Sequence, residues 1–547
     1  MAHWRLAITS QILGLCLFVG NASAELPQLV SHNGVEQLHV EGAPFLILGG
    51  ELGNSSASNR EQLQPHWETF QTLGINTILA PINWEMIEPN EGNFDFSSLD
   101  WLIEDAREHD IKLVILWFGS WKNSMSSYVP AWVKRDWKRF PRVQTADGNT
   151  TEILSAFSDT NVNTDANAYA AMMKHLKMVD AEQNTVIMVQ VENEIGMLPD
   201  AREHGPIAEK TWAGNVPQQL IEHLIANEDA LTPEVRKIWT THGKKTAGSW
   251  ADVFGKTPAA EEIFTAWHYA IYADKVAKAG KSEYNLPMYV NAALDRPNVL
   301  PGKYPSGGPL PHLLDIWKAG APNIDFLAPD IYYPNYVERV SEYVRPGNAL
   351  FIPEANRAGR IESGPDLLYS IGELDAIGYS PFAIDSIEDA KNEPLGQAYK
   401  MLSDLAPHIL ELQGTDHLRA FRPTSNYEGE LDLSDRTAIF GNYEFTISFG
   451  SPWRDKSEQS PSAYGAMIIQ TNDEEFYIAG RGVTVKFKSL NTDGSVAGIE
   501  SAINGEFIEG EWKAGRWFNG DQTHQGRHIL LDTEKYSIQK VKLYTYQ

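Results

Sequence analysis

The segment VIMVQVENEIGM (residues 186–197) decides how this chain is expected to fold. Its first six residues are apolar except for Gln190, and a continuous apolar run of this length is typical of a strand in a parallel sheet covered by helices. The run passes directly into Glu192, Asn193 and Glu194. Two carboxylates around an amide therefore stand where a buried strand leaves the core.

Seven further apolar runs alternate with helix-like segments up to about residue 410. They are FLILGG (45–50), NTILAPINW (76–84), KLVILWFG (112–119), LPMYVNA (286–292), IDFLAPDIYY (324–333), ALFIPE (349–354) and AIGYSPFAID (376–385). After the second run, apolar residues recur at i, i+3, i+4 and i+7, as in a helix packed on a sheet. Eight strands alternating with helices predict an α/β fold, a (β/α)8 TIM barrel. A doubly wound open sheet is the alternative, but no G-x-G-x-x-G motif follows the early strands.

Two domains follow a short leader in the predicted organisation. The barrel is expected over residues 25–414, with an insertion at about 197–285. Beyond it, VTVKFK (483–488) and VKLYTY (541–546) alternate apolar with polar residues, and Asn-Gly, Asp-Gly and Glu-Gly pairs mark turns. We therefore predict an antiparallel β-sandwich as an accessory domain over residues 415–547.

Composition limits the classes of partner. The chain has 547 residues, which is longer than a single hydrophobic core usually supports. Its formal net charge is −27. No run rich in lysine and arginine occurs, so neither nucleic acid nor an anionic membrane is an expected partner. The acidity also disfavours a strongly anionic substrate. The sequence does not indicate how many subunits the protein has.

The first residues have the features of a secretory signal peptide, predicted over 1–24. Arg5 precedes the apolar run ILGLCLFVG (12–20), and Ala22-Ser23-Ala24 forms an A-x-A cleavage site. No later segment approaches 18 uninterrupted apolar residues, so we expect export to the periplasm or the outside without membrane attachment. The only cysteine, Cys16, lies inside this signal, which excludes disulfides and thiolate metal sites from the mature protein.

Glutamates at two strand ends are the candidate chemical groups. Glu194 follows the fourth predicted strand and Glu354 the seventh, so the two should face each other across the carboxyl end of the barrel, where barrel active sites are built. Glycoside hydrolysis needs such a pair, one protonated and one ionised. If the strand stays regular, Glu192 shares the side-chain direction of Glu194 and is its rival for the acid role.

Aromatic residues cluster near the same strand ends. They are Trp84, Trp117, Trp121 and Tyr332, followed in one loop by Tyr128, Trp132 and Trp137. Sugar rings stack their C–H faces on aromatic planes, although core packing is the alternative for each tryptophan taken alone. We expect Trp84 and Tyr332 to contact the substrate, with Tyr332 also hydrogen-bonded to Glu354.

Motifs for other chemistries are missing from the sequence. There is no H-E-x-x-H or other paired-histidine spacing, no Walker loop and no G-x-S-x-G elbow. We therefore expect neither a metal nor an organic cofactor.

Two motifs resemble glycoside hydrolase family 35, the retaining β-galactosidases of clan A. QVENEIG (190–196) is similar to the acid/base motif of that family, and NTILAPINWEMIEPNEGNFDF (76–96) resembles its W-x-x-x-E-P-x-x-G-x-F-D-F signature. The resemblance implies that Glu194 is the general acid/base and Glu354 the nucleophile of a double-displacement reaction. It also implies that Asn193 holds the 2-hydroxyl group of the sugar.

The chain departs from the family in two places. Typical members follow the third strand with a Cys-Ala-Glu loop that grips galactose, where this chain has WFGSWKNSMS (117–126). The first strand ends in GELGN (50–54) rather than Ser-x-His-Tyr. We expect these contacts to be replaced by Glu51, Asn54, Trp121 and Asn123.

The region after residue 415 is similar to a β-sandwich found in a bacterial branch of the family. Binding of polysaccharide through Trp512, Trp517 or Phe518 is one role for it, and a structural buttress is the role we favour.

Taken with the resemblance, the residues predict an exo-acting retaining β-galactosidase that removes terminal non-reducing β-D-galactose from oligosaccharides. Plant cell-wall fragments, including galactosylated xyloglucan, are the candidate substrates. An endo-acting β-glycanase on the same barrel is one alternative, and a non-catalytic carbohydrate-binding protein is another.

Overall fold

The computed structural model describes residues 25–508 and 510–547, so the predicted signal peptide lies outside the described residues. Eight parallel strands close into a barrel, which confirms the predicted (β/α)8 fold. We number these strands β1 to β8 in chain order: Ile47–Glu51, Thr77–Asn83, Lys112–Phe118, Val186–Val191, Met288–Ala293, Phe326–Ile331, Phe351–Arg357 and Gly378–Phe382.

The barrel closes because β8 pairs with β1. This pairing rules out the open, doubly wound sheet. Every residue of β4 and of β6 is buried. Inward side chains fill the barrel and outward ones face the helices, so the strand sequences are apolar throughout instead of alternating.

A helix follows each strand and packs on the outside of the barrel. These helices, α1 to α8, are Trp67–Leu73, Ser97–Glu108, Asp159–Asp180, Pro258–Glu283, Leu314–Gly320, Tyr336–Ser341, Ser363–Gly372 and Pro394–Leu412. In α2 the predicted stripe of Leu99, Leu102, Ile103 and Ala106 is buried. The two longest helices, α3 and α4, pack against each other.

Additional elements lie within the barrel loops. Between β4 and α4 the chain forms four short helices, Pro206–Trp212, Gln218–Ala226, Pro233–Thr241 and Trp250–Phe254. The second of them contacts α5, so this part lies against the outside of the barrel. Smaller elements are the helices Arg60–Leu63, Trp84–Ile87 and Ala131–Arg135 and the hairpin Arg142–Gln144 with Thr150–Leu154.

A three-stranded meander before β1, which the apolar runs did not predict, covers the amino end of the barrel. Its strands are Gln28–His32, Val35–Val40 and Ala43–Pro44. Leu38 and Val40 pack with residues near the start of the barrel strands, such as Ile47. The opposite, carboxyl end of the barrel is therefore the end available for a site.

Two antiparallel sheets form the region after the barrel, as predicted. One has the strand order Leu418–Phe421, Gly465–Gln470, Glu475–Arg481, Ser537–Tyr546, Val496–Ile508 and Glu511–Trp517. The other has Arg436–Phe440, Tyr443–Phe449, Val483–Ser489 and His528–Leu530. Side chains of both sheets, including Phe445 and Phe476, share one core. The short strands Thr424–Ser425 and Leu431–Asp432 form a separate hairpin.

The sandwich packs directly on the barrel. Helices α7 and α8 lie against the larger sheet, and the side chains of Arg422 and Asp366 form an ion pair that is almost completely buried. Burial lowers the pKa of the Arg422 guanidinium to about 10, so it keeps its charge at neutral pH. In the described part of the chain, no helix combines the length and apolarity that crossing a membrane requires.

Candidate active site

The chain leaves strand geometry directly after β4. Glu192 and Glu194 both adopt left-handed backbone conformations, with φ of 61° and 47°. The expectation of a shared side-chain direction is therefore wrong, because it required a regular strand. For a residue other than glycine this conformation costs about 1–3 kcal/mol, and such strain is concentrated at functional sites.

Glu194 and Glu354 meet across the carboxyl end of the barrel. Glu354 lies in β7 beside Asp330 of β6, its partner in register. Carboxylate oxygens of Glu194, Asp330 and Glu354 all lie within 4.8 Å of one another. Two side chains 160 positions apart are thus brought to one point, although Glu194 is only 6% exposed and Glu354 only 5%.

A cavity of about 260 Å³ opens onto this point. The loops after β3, β4, β5 and β6 build its wall, and its lining residues are Asn123, Glu194, Ala293, Leu294, Arg296, Pro305, Asp330, Tyr332 and Tyr333. The wall combines carboxylates, an amide, a cation and two phenol rings, so it can contact both the hydroxyl groups and the C–H faces of a sugar.

Tyr332 orients one of the two glutamates. Its hydroxyl donates a hydrogen bond to Oε1 of Glu354, whereas Oε2 of Glu354 has no partner among the described residues. Burial and the neighbouring Glu354 charge raise the pKa of the Tyr332 phenol, so it remains a donor at neutral pH. The contact holds the carboxylate through this one oxygen.

Two asparagines hold the other glutamate. Asn123 donates its amide to Oε2 of Glu194, and the backbone N–H of Glu194 donates to Oδ1 of Asn291 at 2.9 Å. Burial, and after it the charge of Glu354, raises the pKa of Glu194 to about 7. Glu194 therefore holds its proton below about pH 7, as its predicted role requires.

Of the two replacements expected at the end of the first strand, Glu51 lies close to this pair. Glu51 ends β1, is 1% exposed and reaches hydrogen-bonding distance of Glu354. Burial, followed by the charge of Glu354, raises the pKa of Glu51 well above its ordinary value. Asn54 is half-buried, and its amide oxygen has no partner among the described residues.

Lys122 and Asp330 are among the site residues that the sequence analysis missed. Lys122 is 4% exposed, donates to Oδ1 of Asn193 at 3.0 Å, and lowers the pKa of Glu194 through its charge. Asp330 accepts a 2.6 Å bond from the Asn291 amide. A charged residue inside or just after an apolar run was the available signal for both.

Two predicted sugar contacts need correction. Trp84 is fully buried, and its indole N–H donates to Oε2 of Glu88 at 2.9 Å. Trp121 is also fully buried, with its ring packed on those of Tyr269 and Tyr272. Both indoles fill space between the strand ends and the helices, so neither ring can stack on a substrate in this structure.

Glu192, the rival for the acid role, lies in the interior. Its Oε2 accepts a 2.8 Å bond from the backbone N–H of Trp121. Burial, and next the charge of Asp165, raises its pKa well above the ordinary value. A side chain that is completely buried and bonded to this loop cannot protonate a substrate. It holds in place the segment that carries Lys122 and Asn123.

Glu192→Gln is expected to retain activity and to stabilise the fold at neutral pH. The amide can accept from Trp121 and donate to Asp165, as the protonated carboxyl does. The pKa of folded Glu192 lies above the ordinary value of 4.5, so the unfolded chain releases this proton more readily. The wild type therefore loses stability as the pH rises above about 4.5, and the variant lacks this loss. Urea unfolding should give an advantage for the variant that grows between pH 5 and pH 8.

Glu192→Ala is the matched contrast. It removes the acceptor of the Trp121 N–H and opens a cavity, so we expect a loss of about 2 kcal/mol or more at any pH. A glutamine variant less stable than the wild type at pH 8 would instead show that Glu192 is ionised in the folded protein.

The three clustered carboxylates also have the oxygen ligands that hard cations prefer. Their surroundings are unfavourable for a cation, because the Lys122 ammonium lies nearby and donors from Tyr332 and Asn123 already occupy carboxylate oxygens. That the site needs no metal stays a prediction.

Two family models match parts of the chain. Residues 54–234 match the family model of glycoside hydrolase 42, described as β-galactosidase. Residues 395–530 match the model of a domain of unknown function, DUF5597. No curated protein matches the chain in sequence.

Solved structures resemble the chain at low sequence identity. The β-galactosidase from Rahnella sp. R3 has a TM-score of 0.49 and 12% identity, with 91% of this chain and 98% of that chain covered. The β-galactosidase from Marinomonas ef1 has a TM-score of 0.44 and 11% identity, with 66% of this chain and 61% of that chain covered. The catalytic domain of the β-amylase from Paenibacillus polymyxa has a TM-score of 0.44 and 11% identity, with 65% of this chain and 97% of that chain covered.

The matched model is not that of family 35, so membership of that particular family remains a prediction. The match to residues 54–234 and the closed barrel together support a broader assignment than a single family. The chain is a β-galactosidase-like glycoside hydrolase with the barrel of clan A.

Proposed function

We propose that this protein is an exo-acting retaining β-galactosidase, exported from the cell, that removes terminal non-reducing β-D-galactose from oligosaccharides. The approach of the carboxylate oxygens of Glu194 and Glu354 to within 4.8 Å carries the proposal. Retaining enzymes hold their two carboxyl groups about 5–5.5 Å apart, whereas inverting enzymes keep about 6.5–9.5 Å to admit water.

In the first step Glu354 attacks the anomeric carbon and Glu194 protonates the departing oxygen. A pKa of about 7 lets Glu194 hold the necessary proton in mildly acidic solution. Because Tyr332 occupies Oε1 of Glu354, we assign the attack to Oε2. The C–O bond to the leaving group breaks as the ester forms.

In the second step water attacks the ester and Glu194 takes up a proton. Esterification removes the Glu354 charge, which is one of the causes that raise the pKa of Glu194. The Lys122 charge, which lowers that pKa, remains. Glu194 therefore becomes easier to ionise when it has to act as the base.

Unpaired polar atoms around the two glutamates are suited to sugar hydroxyl groups. Among the described residues, Nδ2 of Asn193 and Oδ1 of Asp330 are buried without partners. An unpaired buried polar group costs about 1–3 kcal/mol, which a bound pyranose would recover. The Lys122 bond to Oδ1 of Asn193 directs the amide nitrogen of Asn193 away from the lysine, where it is free to donate to the sugar.

Exo action on a chain end, rather than binding along a polymer, is part of the proposal. Plant cell-wall oligosaccharides, including galactosylated xyloglucan fragments, are the substrates we propose. Membership of family 35 is part of the proposal, and it rests on the motifs over 76–96 and 190–196.

Nitrophenyl glycosides that differ only in the sugar test the proposal. We expect kcat/KM for the β-D-galactoside to exceed that for the β-D-glucoside, β-D-mannoside and β-D-xyloside at least tenfold. Proton NMR should show β-galactose as the first product, because two inversions retain the configuration.

Three results would contradict this proposal. Release of α-galactose first would mean an inverting enzyme. An early fall in the viscosity of a long polysaccharide would mean endo action. No turnover of any glycoside, with binding of galactose intact, would leave a carbohydrate-binding protein.

A further inference from the structure

A hairpin that follows the barrel reaches the wall of the active-site cavity. We call residues 424–432 the arm; they include the paired strands Thr424–Ser425 and Leu431–Asp432. Tyr427 of the arm packs on Tyr333, which lines the cavity, with ring centroids 5.3 Å apart and planes inclined by 50°. The accessory region thus contacts a residue of the catalytic cavity.

The arm is fixed to the loop that carries this tyrosine. Ser425 donates its hydroxyl to the carbonyl oxygen of Pro334. A Cβ placed on Gly429 would lie 3.8 Å from ring atoms of Pro334, so the turn of the arm lies against this proline ring. Within the arm, the backbone N–H of Asn426 donates to the Glu430 carbonyl at 3.2 Å. Contacts on both sides of Tyr427 therefore hold its ring against Tyr333.

The rim of the cavity on this side also carries a cation. Arg296 lines the cavity, is exposed, and forms no ion pair with any residue that the structure describes. The hydroxyl of Tyr333 donates to the Leu294 carbonyl at 3.3 Å, which joins the loop after β6 to the loop that carries Arg296. The Tyr333 ring and the Arg296 guanidinium accordingly lie along one part of the rim, and the Tyr427 ring packs on Tyr333.

Glu194 and Asp330 also line the cavity but are almost completely buried, and with the adjoining Glu354 they form its floor. Arg296 and Tyr333 are more exposed than these carboxylates, so the rim lies on the solvent side of the floor. In the proposed exo reaction the terminal galactose occupies the floor, and the group attached to its anomeric oxygen must extend toward the opening. The rim is therefore where the leaving group lies.

We propose that Tyr333, Tyr427 and Arg296 form the subsite for a leaving-group sugar, and that the accessory domain thereby supplies a specificity-determining residue, Tyr427. The inference rests on the proposed function and names the class of leaving group. Aromatic planes stack on the C–H faces of a pyranose, and the guanidinium offers several donors to its hydroxyl groups. A glycosyl leaving group can make both contacts, whereas a leaving group of one atom, such as fluoride, can make neither.

Tyr427→Ala tests this with two substrates that carry the same galactose. One is a β-galactosyl disaccharide, and the other is β-galactosyl fluoride, which has no leaving-group sugar. We expect kcat/KM for the disaccharide to fall about tenfold and that for the fluoride to stay within twofold of the wild type. Inhibition by free galactose should not change, because galactose needs only the floor.

Three further variants serve as controls. Tyr427→Phe keeps the ring and should restore disaccharide turnover to within twofold of the wild type. Tyr544→Ala removes an exposed tyrosine of the same domain and should have no effect on either substrate. Arg296→Gln changes an exposed rim residue without disturbing the arm, and the same selective loss on the disaccharide is expected from it.

Equal losses on both substrates would mean that the arm only supports the catalytic loop, and that result would overturn the inference. Unchanged kinetics on both substrates would overturn it as well. A wild-type protein that hydrolyses neither substrate would overturn the proposed function and the inference with it. If Tyr427→Ala does not fold, an Arg296→Gln variant that treats both substrates as the wild type does would decide against the subsite.

Discussion

Replacing Glu354 by glycine is expected to lower kcat by about four orders of magnitude or more. The substitution removes the oxygen that attacks the anomeric carbon, so the covalent intermediate on Glu354 cannot form. Tyr332 loses the acceptor of its hydrogen bond but stays in place on its own loop. Steady-state hydrolysis of nitrophenyl β-D-galactoside measures the loss, and circular dichroism shows whether the variant is folded.

The space left by the Glu354 side chain gives a sharper test of its role. Azide is small enough to enter it and can attack the anomeric carbon directly. A single displacement inverts the configuration, so the product should be α-galactosyl azide, which forms while Glu194 still protonates the leaving group. Glu388→Gly, which removes an exposed loop carboxylate, should hydrolyse galactosides at the wild-type rate and form no azide product.

Activity of Glu354→Gly within tenfold of the wild type would remove Glu354 from the nucleophile role. Asp330 would then be the next carboxylate to consider, because it lies beside Glu354 in register. Asp330→Asn with azide would distinguish the two, since only the true nucleophile leaves a site in which azide restores the reaction.

The barrel was predictable because its strands are buried on both faces. Continuous apolar runs such as that of β4 mark each strand, and barrel closure then fixes which strand ends face each other. Glu194 and Glu354 could be paired from this alone. The meander before β1 was missed because its strands are short and alternate with exposed polar residues.

Side-chain directions at the strand ends were not predictable in the same way. The period of two that sets direction along a strand is lost where φ becomes positive at Glu192 and Glu194. This backbone turn sends Glu192 into the interior. Trp84 and Trp121 likewise stand at strand ends, but tertiary packing buries both rings.

Contacts between distant loops have no local sequence signal at all. The bond of Lys122 to Asn193 joins residues 71 positions apart, and the packing of Tyr427 on Tyr333 joins two domains. A lysine after a strand and a tyrosine in a turn are ordinary surface residues when read alone. Only the folded chain places them beside the carboxylates or the cavity wall.

Replacing Glu194 by alanine is expected to separate substrates by the quality of their leaving groups. An oligosaccharide needs a proton on the departing oxygen, so its kcat/KM should fall about 10³-fold. A dinitrophenyl β-D-galactoside has a leaving group that is stable as an anion, so its kcat/KM should stay within about tenfold of the wild type. The comparison uses pre-steady-state and steady-state release of the phenol, because the variant also lacks the base for the second step.

The pH dependence follows from the state of Glu194. Its pKa of about 7 means that the wild type holds the catalytic proton below pH 7 and loses it above. We therefore expect kcat/KM for an oligosaccharide to decline above about pH 7. In Glu194→Ala this decline should disappear with the dinitrophenyl substrate, since no proton is transferred. If the decline in kcat/KM above pH 7 persists unchanged in the variant, it must come from the ionisation of another group.

Azide should again identify the role, with the opposite stereochemistry. In Glu194→Ala the nucleophile Glu354 still forms the ester, and azide enters from the face that Glu194 leaves open. A second inversion then gives β-galactosyl azide, whereas Glu354→Gly gives the α anomer. If the two variants gave the reverse pair of anomers, the two roles would be exchanged. If both gave the same anomer, no covalent ester on either glutamate could account for the reaction, and the 4.8 Å approach of the two carboxylates would need another explanation.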